Sequence, residues 1–398
     1  MKHHHSIKKA STLYSLSMIA FFIGLHLSIT AYFNSGFLST FINEKTISLV
    51  YLIISIVTIT GLLLMQSILK RFGNYRTSIA LIIIQMICFY EILNAPSPGF
   101  ILFFFVLAMS VISIIGFTID IFIQRNTDFK HTGSVRGIVM TAGNAAWILG
   151  PLFAGMLLNI NDPNGDSFTS YRSIYIAGML LLLPILYLVQ KNFNNFKDPR
   201  YIEISARQTI ARILRNRDIS RIFIINIILQ SFYAWMTVYV PIYLHETIHF
   251  SWPEISIIFT IMLIPFVLVD YPLGKLADKN WGEKEMMAIG FIIMAIATSS
   301  LFLFTVNNVA TWAIMLFITR VGAATAELMI ETYFFKKVDG KDPEVLSVFR
   351  TTRPLSYFVA PLIVTISLTY FTENYLFIVF GLLCLFTLYP ILTIRDTN

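Results

Sequence analysis

Eight ionisable residues lie inside long apolar runs of this sequence, at His26, Glu91, Asp120, Arg125, Asp270, Arg320, Glu327 and Glu331. A charge there is costly, so each one asks for a use. Glu327 and Asp120 stand deepest in their runs. A carboxylate held among apolar side chains without a counter-charge favours its neutral form. It can take up a proton on one side of a barrier and release it on the other, which is the chemistry of ion coupling. Arg320 precedes Glu327 by two helical turns, about 10 Å, so the pair can neutralise each other directly or through a neighbour. The structural alternative is a satisfied buried ion pair that fixes packing. Arg125, Glu331 and Asp270 fall near the ends of their runs, where pairing that closes one side is the expected use. Glu91 lies near the opposite end of its run. Enzyme chemistry has no foothold. The sequence contains no P-loop, no H-E-x-x-H, no G-x-S-x-G and no Cys-His cluster, so neither catalysis nor a metal or cofactor is expected. Cys88 and Cys384 each sit in an apolar run and suggest no disulfide framework.

The elements that must position these groups follow from hydropathy. Of 398 residues, 56% are hydrophobic and 13% charged, against about 25% charged in soluble domains, and the mean hydropathy is +0.73. A spanning helix needs roughly 20 mostly apolar residues. Twelve segments qualify, at 12–34, 47–69, 76–94, 100–124, 136–159, 171–190, 220–244, 252–273, 285–306, 310–334, 345–370 and 374–394. The fifth and eleventh are the least apolar, which makes ten the lower bound. Runs of this length predict helices rather than a barrel. The fold class is therefore an all-α polytopic membrane protein. The first apolar run is too long for a signal peptide, and the triplet His3–His5 has no assigned role.

Basic residues fall on alternate turns: Lys70, Arg71 and Arg76; Lys130; Lys191 to Arg217; Lys275, Lys279 and Lys284; Lys336, Lys337 and Lys341. The other turns hold little beyond Lys45 and Arg172. This bias predicts cytoplasmic termini in a plasma (inner) membrane. It also makes the net charge of +7 a matter of topology, with no nucleic-acid partner. The chain divides into a bundle at 12–190, a linker at 191–219 and a bundle at 220–394. Within the linker, Ile204, Ile210, Ile213 and Leu214 lie among Arg and Gln at helical spacing. They predict a helix along the membrane surface, either a tether or a regulatory or binding element.

The turn GKLADKNWGEK, Gly274 to Lys284, resembles the signature loop of the major facilitator superfamily through Gly274, Asp278, Lys279, Gly282 and Lys284. The matching first-half turn, Gln66 to Arg76, keeps Arg71, Gly73 and Arg76 but puts Lys70 where the acid belongs. The acidic lock of that half is therefore absent or supplied from elsewhere. In the fifth segment, Gly143, Gly150, Pro151 and Gly155 resemble the glycine-proline frame that the family associates mostly with exporters, the alternative being a structural kink. The first and second halves also echo each other, with Gly116 matched to Gly322, Asp120 near Glu327 and Arg125 on Glu331. Such repeats are expected of a transporter built from related halves.

The resemblance implies two pseudo-symmetric six-helix bundles and alternating access. Asp270, Gly274, Asp278, Lys279, Gly282, Arg71, Gly73, Arg76, Arg125 and Glu331 would form a conformational gate. In this family the first, fourth, seventh and tenth helices line the cavity, so His26, Asn34, Asn226, Gln230 and Tyr233 become candidates to face a substrate. Asn226, Gln230 and Tyr233 share one helical face, and Trp235 lies off it. A lone histidine such as His26 is otherwise a packing residue. The implied function is a secondary transporter of a small organic solute, acting as a monomer and driven by a gradient. Proton-coupled export by antiport is the first expectation. Proton-driven or facilitated uptake of a sugar, nucleoside or organic acid is the alternative.

Overall fold

A computed structural model describes residues 2–94, 97–125, 132–161, 168–198, 206–268, 282–338 and 343–395. Its principal helices are α1 (Lys2–Ala31), α2 (Glu44–Phe72), α3 (Asn74–Asn94), α4 (Pro98–Arg125), α5 (Thr132–Asn161) and α6 (Phe168–Phe193). They continue as α7 (Arg217–Val238), α8 (Trp252–Leu263), α9 (Glu283–Ser300), α10 (Val309–Val338), α11 (Thr352–Tyr370) and α12 (Tyr375–Phe386). No strand occurs among the described residues. Among the described residues, ten helices are long and apolar enough to span a membrane. The fifth qualifies, through Thr141–Leu158. The eighth is represented by the shorter apolar stretch Trp252–Leu268, because 269–281 lie outside the described residues.

The eleventh segment, expected as one helix over 345–370, is two: Pro343–Arg350 and α11, broken at Thr351. Pro354 explains the break. It has no N–H to donate, so it is tolerated in the first turn of a new helix and would disrupt the middle of a continuous one.

Contacts group the chain into two units, Met1–Asn43 with Ile53–Ile202, and Glu44–Leu52 with Glu203–Asn398. In the first unit α1 packs on α5 and α6, and α3 packs on α4 and α6. Leu16, Ile19, Ile23, Ile115, Phe122 and Leu182 belong to its buried core. In the second unit α7 packs on α11, α9 packs on α10 and α12, and α8 packs on α10. First with fifth, third with fourth and third with sixth are thus paired within each unit, which is the internal repeat expressed as packing. The outward faces are apolar too. On α6, Ile176, Leu180, Leu183 and Tyr187 form one exposed stripe at helical spacing, as a lipid-facing helix requires.

Close approach rests on small residues. A Cβ at Gly290 of α9 would stand 2.8 Å from the Gly322 carbonyl of α10, and one at Gly322 would stand 2.6 Å from the Gly290 carbonyl. Gly116, its counterpart in the repeat, has open space around that position. The repeat therefore preserves the residue without preserving its use.

Candidate functional site

The second unit holds a buried polar cluster between α7 and α10. Arg320 is 2% exposed, and its guanidinium lies over the rings of Phe232 and Tyr233, 5.5 and 5.1 Å from their centroids. Such a cation–π arrangement compensates partly for lost hydration. The Arg320 Nε–H has no hydrogen-bond partner among the described residues. Two turns along α10, Glu327 accepts a hydrogen bond from the Tyr233 hydroxyl at 2.9 Å, and that hydroxyl also lies 3.3 Å from the Ala323 carbonyl. Phe266 stands edge-on to the Tyr233 ring at 6.0 Å. Tyr233 is therefore the neighbour that joins Arg320 to Glu327, its face under the cation and its hydroxyl on the carboxylate.

The predicted stripe on α7 has divided loyalties. Asn226 is buried and donates to the Thr352 hydroxyl of α11 at 2.8 Å, while Tyr233 turns to α10. Gln230 is half-buried between them. Trp235 packs on α12, stacked 4.4 Å from Phe380.

In the first unit His26 is buried with both ring nitrogens engaged. Nδ1 lies 2.8 Å from the Gly178 carbonyl of α6, and Nε2 lies 3.1 Å from Gln85 Nε2 of α3. A carbonyl only accepts, so Nδ1 carries the proton and Nε2 accepts from the Gln85 amide. The ring is a neutral clasp across three helices. Asn34, in the short helix Asn34–Ser39 after α1, accepts from the Tyr175 hydroxyl at 2.9 Å and places its amide 3.5 Å from Met109 Sδ. Asp120 is half-buried on α4 and Glu331 half-buried on α10. Arg125 ends α4, and its side chain lies outside the described residues.

The glycine-proline frame of α5 is a packing surface for α1. A Cβ at Gly150 would overlap the Ser28 side chain and come within 2.6 Å of the Ser28 backbone carbon. The Ser28 hydroxyl donates to the Ala146 carbonyl at 2.9 Å. A Cβ at Gly24 would meet the Gly143 carbonyl at 2.9 Å. Pro151 and Gly155 are buried in the same helix.

At the first-half turn, Gly73 closes α2 with φ +77°, a conformation that favours glycine. An acid from elsewhere in the chain stands beside this turn. Asp198, beyond α6, accepts from the Asn74 N–H at 2.8 Å, at the positive end of α3. Its carboxylate also fills the space beside Gly73. Arg71 lies over the Phe72 ring at 5.2 Å, and Arg76 is exposed. Of the second-half turn, Asp270, Gly274, Asp278 and Lys279 lie outside the described residues, and Gly282 is the N-cap of α9. Just inside that helix, buried Glu283 forms an ion pair with Lys336 of α10.

Sequence reasoning passed over Asp198, Glu283, Gln85, Tyr175 and Thr352. Only Glu283 carried a local signal, an acid in the first turn of a helix. The others pair across 59 to 141 residues of chain and have none.

The sequence profile of the Major Facilitator Superfamily matches residues 10–254 and 222–397. No curated protein gave a sequence match. Among solved structures, two crystal structures of the nucleoside transporter NupG, one of them a point variant, are similar. The variant has a TM-score of 0.72 at 12% identity over 96% of this chain and 99% of that one. NupG itself has 0.71 at 13% identity, over 96% and 98%. At such identity the likeness speaks for the fold, and the profile speaks for descent. Helical, membrane-spanning, internally repeated and matched end to end, the chain belongs to the Major Facilitator Superfamily.

Proposed function

We propose that the protein takes up a small polar organic solute by alternating access, with protons as the driving ion and a nucleoside as the first solute to test. The observation that carries this reading is the link of Arg320, Tyr233 and Glu327. Glu327 is the proton carrier. When ionised it is held by the Tyr233 hydroxyl near the Arg320 charge, and when neutral it relaxes that hold. The Nε–H of Arg320, without a partner among the described residues, and the aromatic rings of Tyr233 and Phe266 supply the hydrogen bond and the ring contacts that a planar solute needs. The two similar structures being nucleoside transporters favours uptake of such a solute over the export suggested by the α5 frame, which here has a use in packing on α1.

The rest of the proposal concerns the setting. Two six-helix bundles, 12–190 and 220–394, rock about the linker 191–219 as a monomer, with both termini cytoplasmic in the plasma (inner) membrane. Asp120 is the rival proton carrier. Asp270, Gly274, Asp278, Lys279 and Gly282 form the gate with Arg71, Gly73, Arg76, Arg125 and Glu331.

The test uses proteoliposomes and radiolabelled uridine and adenosine, with glucose and lactate as comparison solutes. An imposed inward proton gradient should concentrate a nucleoside inside. Glu327→Gln should abolish that accumulation and retain exchange of solute for solute, because linkage makes proton and solute affect each other equally. A Gln variant that still accumulates solute on a pH gradient alone removes Glu327 as the coupling site. Accumulation of glucose or lactate, with none of either nucleoside, removes the nucleoside reading.

A further inference from the structure

Polar groups fasten α7 to α10 at the site, through Tyr233 and Glu327, and again where α7 begins and α10 ends. The second fastening runs through a third segment. Beyond α12 the short helix Leu388–Thr393 stops at Ile394, whose backbone is extended at φ −72° and ψ 153°. From α7, the Arg221 guanidinium donates to the Thr393 carbonyl, and the Asp218 carboxylate accepts from the Arg395 N–H at 3.3 Å. From α10, the Tyr333 hydroxyl donates to the Arg395 carbonyl at 2.8 Å, and the Lys337 ammonium lies 3.9 Å from the Asp218 carboxylate. Between these bonds Ile394 is 2% exposed, a single apolar knob.

The bonds all end on the main chain of the segment. Thr393 directs its hydroxyl to the Tyr389 and Pro390 carbonyls of its own helix, and Arg395 is exposed. Such recognition fixes where the segment lies and uses no side chain of it but Ile394. The last carbonyls of a helix lack partners within it, and a cation there meets the negative end of the helix dipole, which is the place Arg221 takes. A change in spacing at this fastening is felt at the other. Tyr333 stands about 9 Å along α10 from Glu327, a helix is stiff over that length, and a hydrogen bond weakens over a few tenths of an ångström.

We propose that the segment Thr393–Arg395 is a strap that sets the spacing of α7 and α10, with Arg221, Tyr333 and Ile394 as positioning residues for the link between Tyr233 and Glu327. Its consequence for coupling rests on the reading of Glu327 as the proton carrier. Nitroxide labels at Ile224 of α7 and Ile318 of α10, both exposed, report the spacing by double electron–electron resonance in protein lacking Cys88 and Cys384. Tyr333→Phe and Ile394→Asp should broaden or lengthen the distance distribution. Arg221→Gln should do the same, and Arg221→Lys, which keeps a cationic donor, should restore it. Arg395→Ala should match the wild type, since only the main chain of that residue is held. In proteoliposomes, Tyr333→Phe should slow proton-driven accumulation roughly fivefold, the order of one hydrogen bond, and leave exchange of solute for solute nearly unchanged. Unchanged distance distributions in Tyr333→Phe and in a folded Ile394→Asp overturn the strap. Broadened distributions with accumulation and exchange falling equally, or with neither falling, make the segment a structural fastening and overturn the positioning role. A wild type that accumulates no solute on a pH gradient refutes the proton reading instead, and the distance distributions still decide the strap.

Discussion

Three glycines, each inside a helix, should respond to an added methyl group in three different ways. Replacing a helical glycine by alanine gains about 1 kcal/mol of helix propensity where nothing opposes it. Gly116 of α4 has nothing within 4 Å of the new Cβ, so Gly116→Ala should stabilise by about that amount. Gly381 of α12 faces the Ser299 hydroxyl, with the nearest backbone atom, the Ala295 carbonyl, at 3.0 Å. A side-chain oxygen can be removed or turned away. Gly150 of α5 faces the Ser28 backbone carbon at 2.6 Å, where ordinary contact begins at 3.4 Å. No rotamer relieves that overlap, and α1 and α5 must part by about 1 Å. Overpacking costs about 1–3 kcal/mol, and Gly150→Ala belongs at or above the top of that range. For a unit of some 200 residues, each kcal/mol moves the unfolding midpoint by about 2–4 °C. Gly116→Ala should therefore rise a few degrees, Gly381→Ala fall slightly, and Gly150→Ala fall by roughly 5–10 °C. The assay is the apparent midpoint of the purified protein at one fixed scan rate, read as double-mutant cycles. Ser299→Ala should recover most of the loss at Gly381. Ser28→Ala should recover almost none at Gly150, since its Cβ and backbone remain. Full recovery by Ser28→Ala, or a Gly150→Ala protein as stable as Gly116→Ala, would refute the reasoning.

Other consequences can be measured on the same protein. Lys336→Met should destabilise the second unit more than Glu283→Gln, because it leaves a buried carboxylate without its partner; equal midpoints would discount the ion pair. Asp198→Ala should cost about 1 kcal/mol of stability as the α3 cap is lost, read as a lower midpoint, with Asp198→Asn intermediate because it keeps an acceptor and loses the charge. For the proposed topology, in a background lacking Cys88 and Cys384, a cysteine at Asn164 should react with an impermeant thiol reagent in whole cells and one at Asn280 should not. The reverse labelling would invert the orientation.

Hydropathy made most of the architecture legible in the sequence because the bilayer acts on each segment separately. A helix that crosses hydrocarbon must be apolar over about 20 residues whatever its neighbours do, so the runs that became α1 to α7, α9, α10 and α12 could be found one at a time. The signature turn and the half-to-half echo pointed to the superfamily for the same local reason. The break at Thr351 was less visible, since Pro354 is compatible with either a helix start or a kink. Pairing was not local at all. That His26 clasps Gly178 and Gln85, that Tyr233 joins Arg320 to Glu327, and that Asp198 caps α3 at Asn74 each depend on side chains brought within 3 Å or so from distant turns. Residue type announces only that a buried polar group needs a partner. Which partner it finds is decided by helix packing, and at Gly150 and Ser28 by contacts so close that a single methyl group would change the answer.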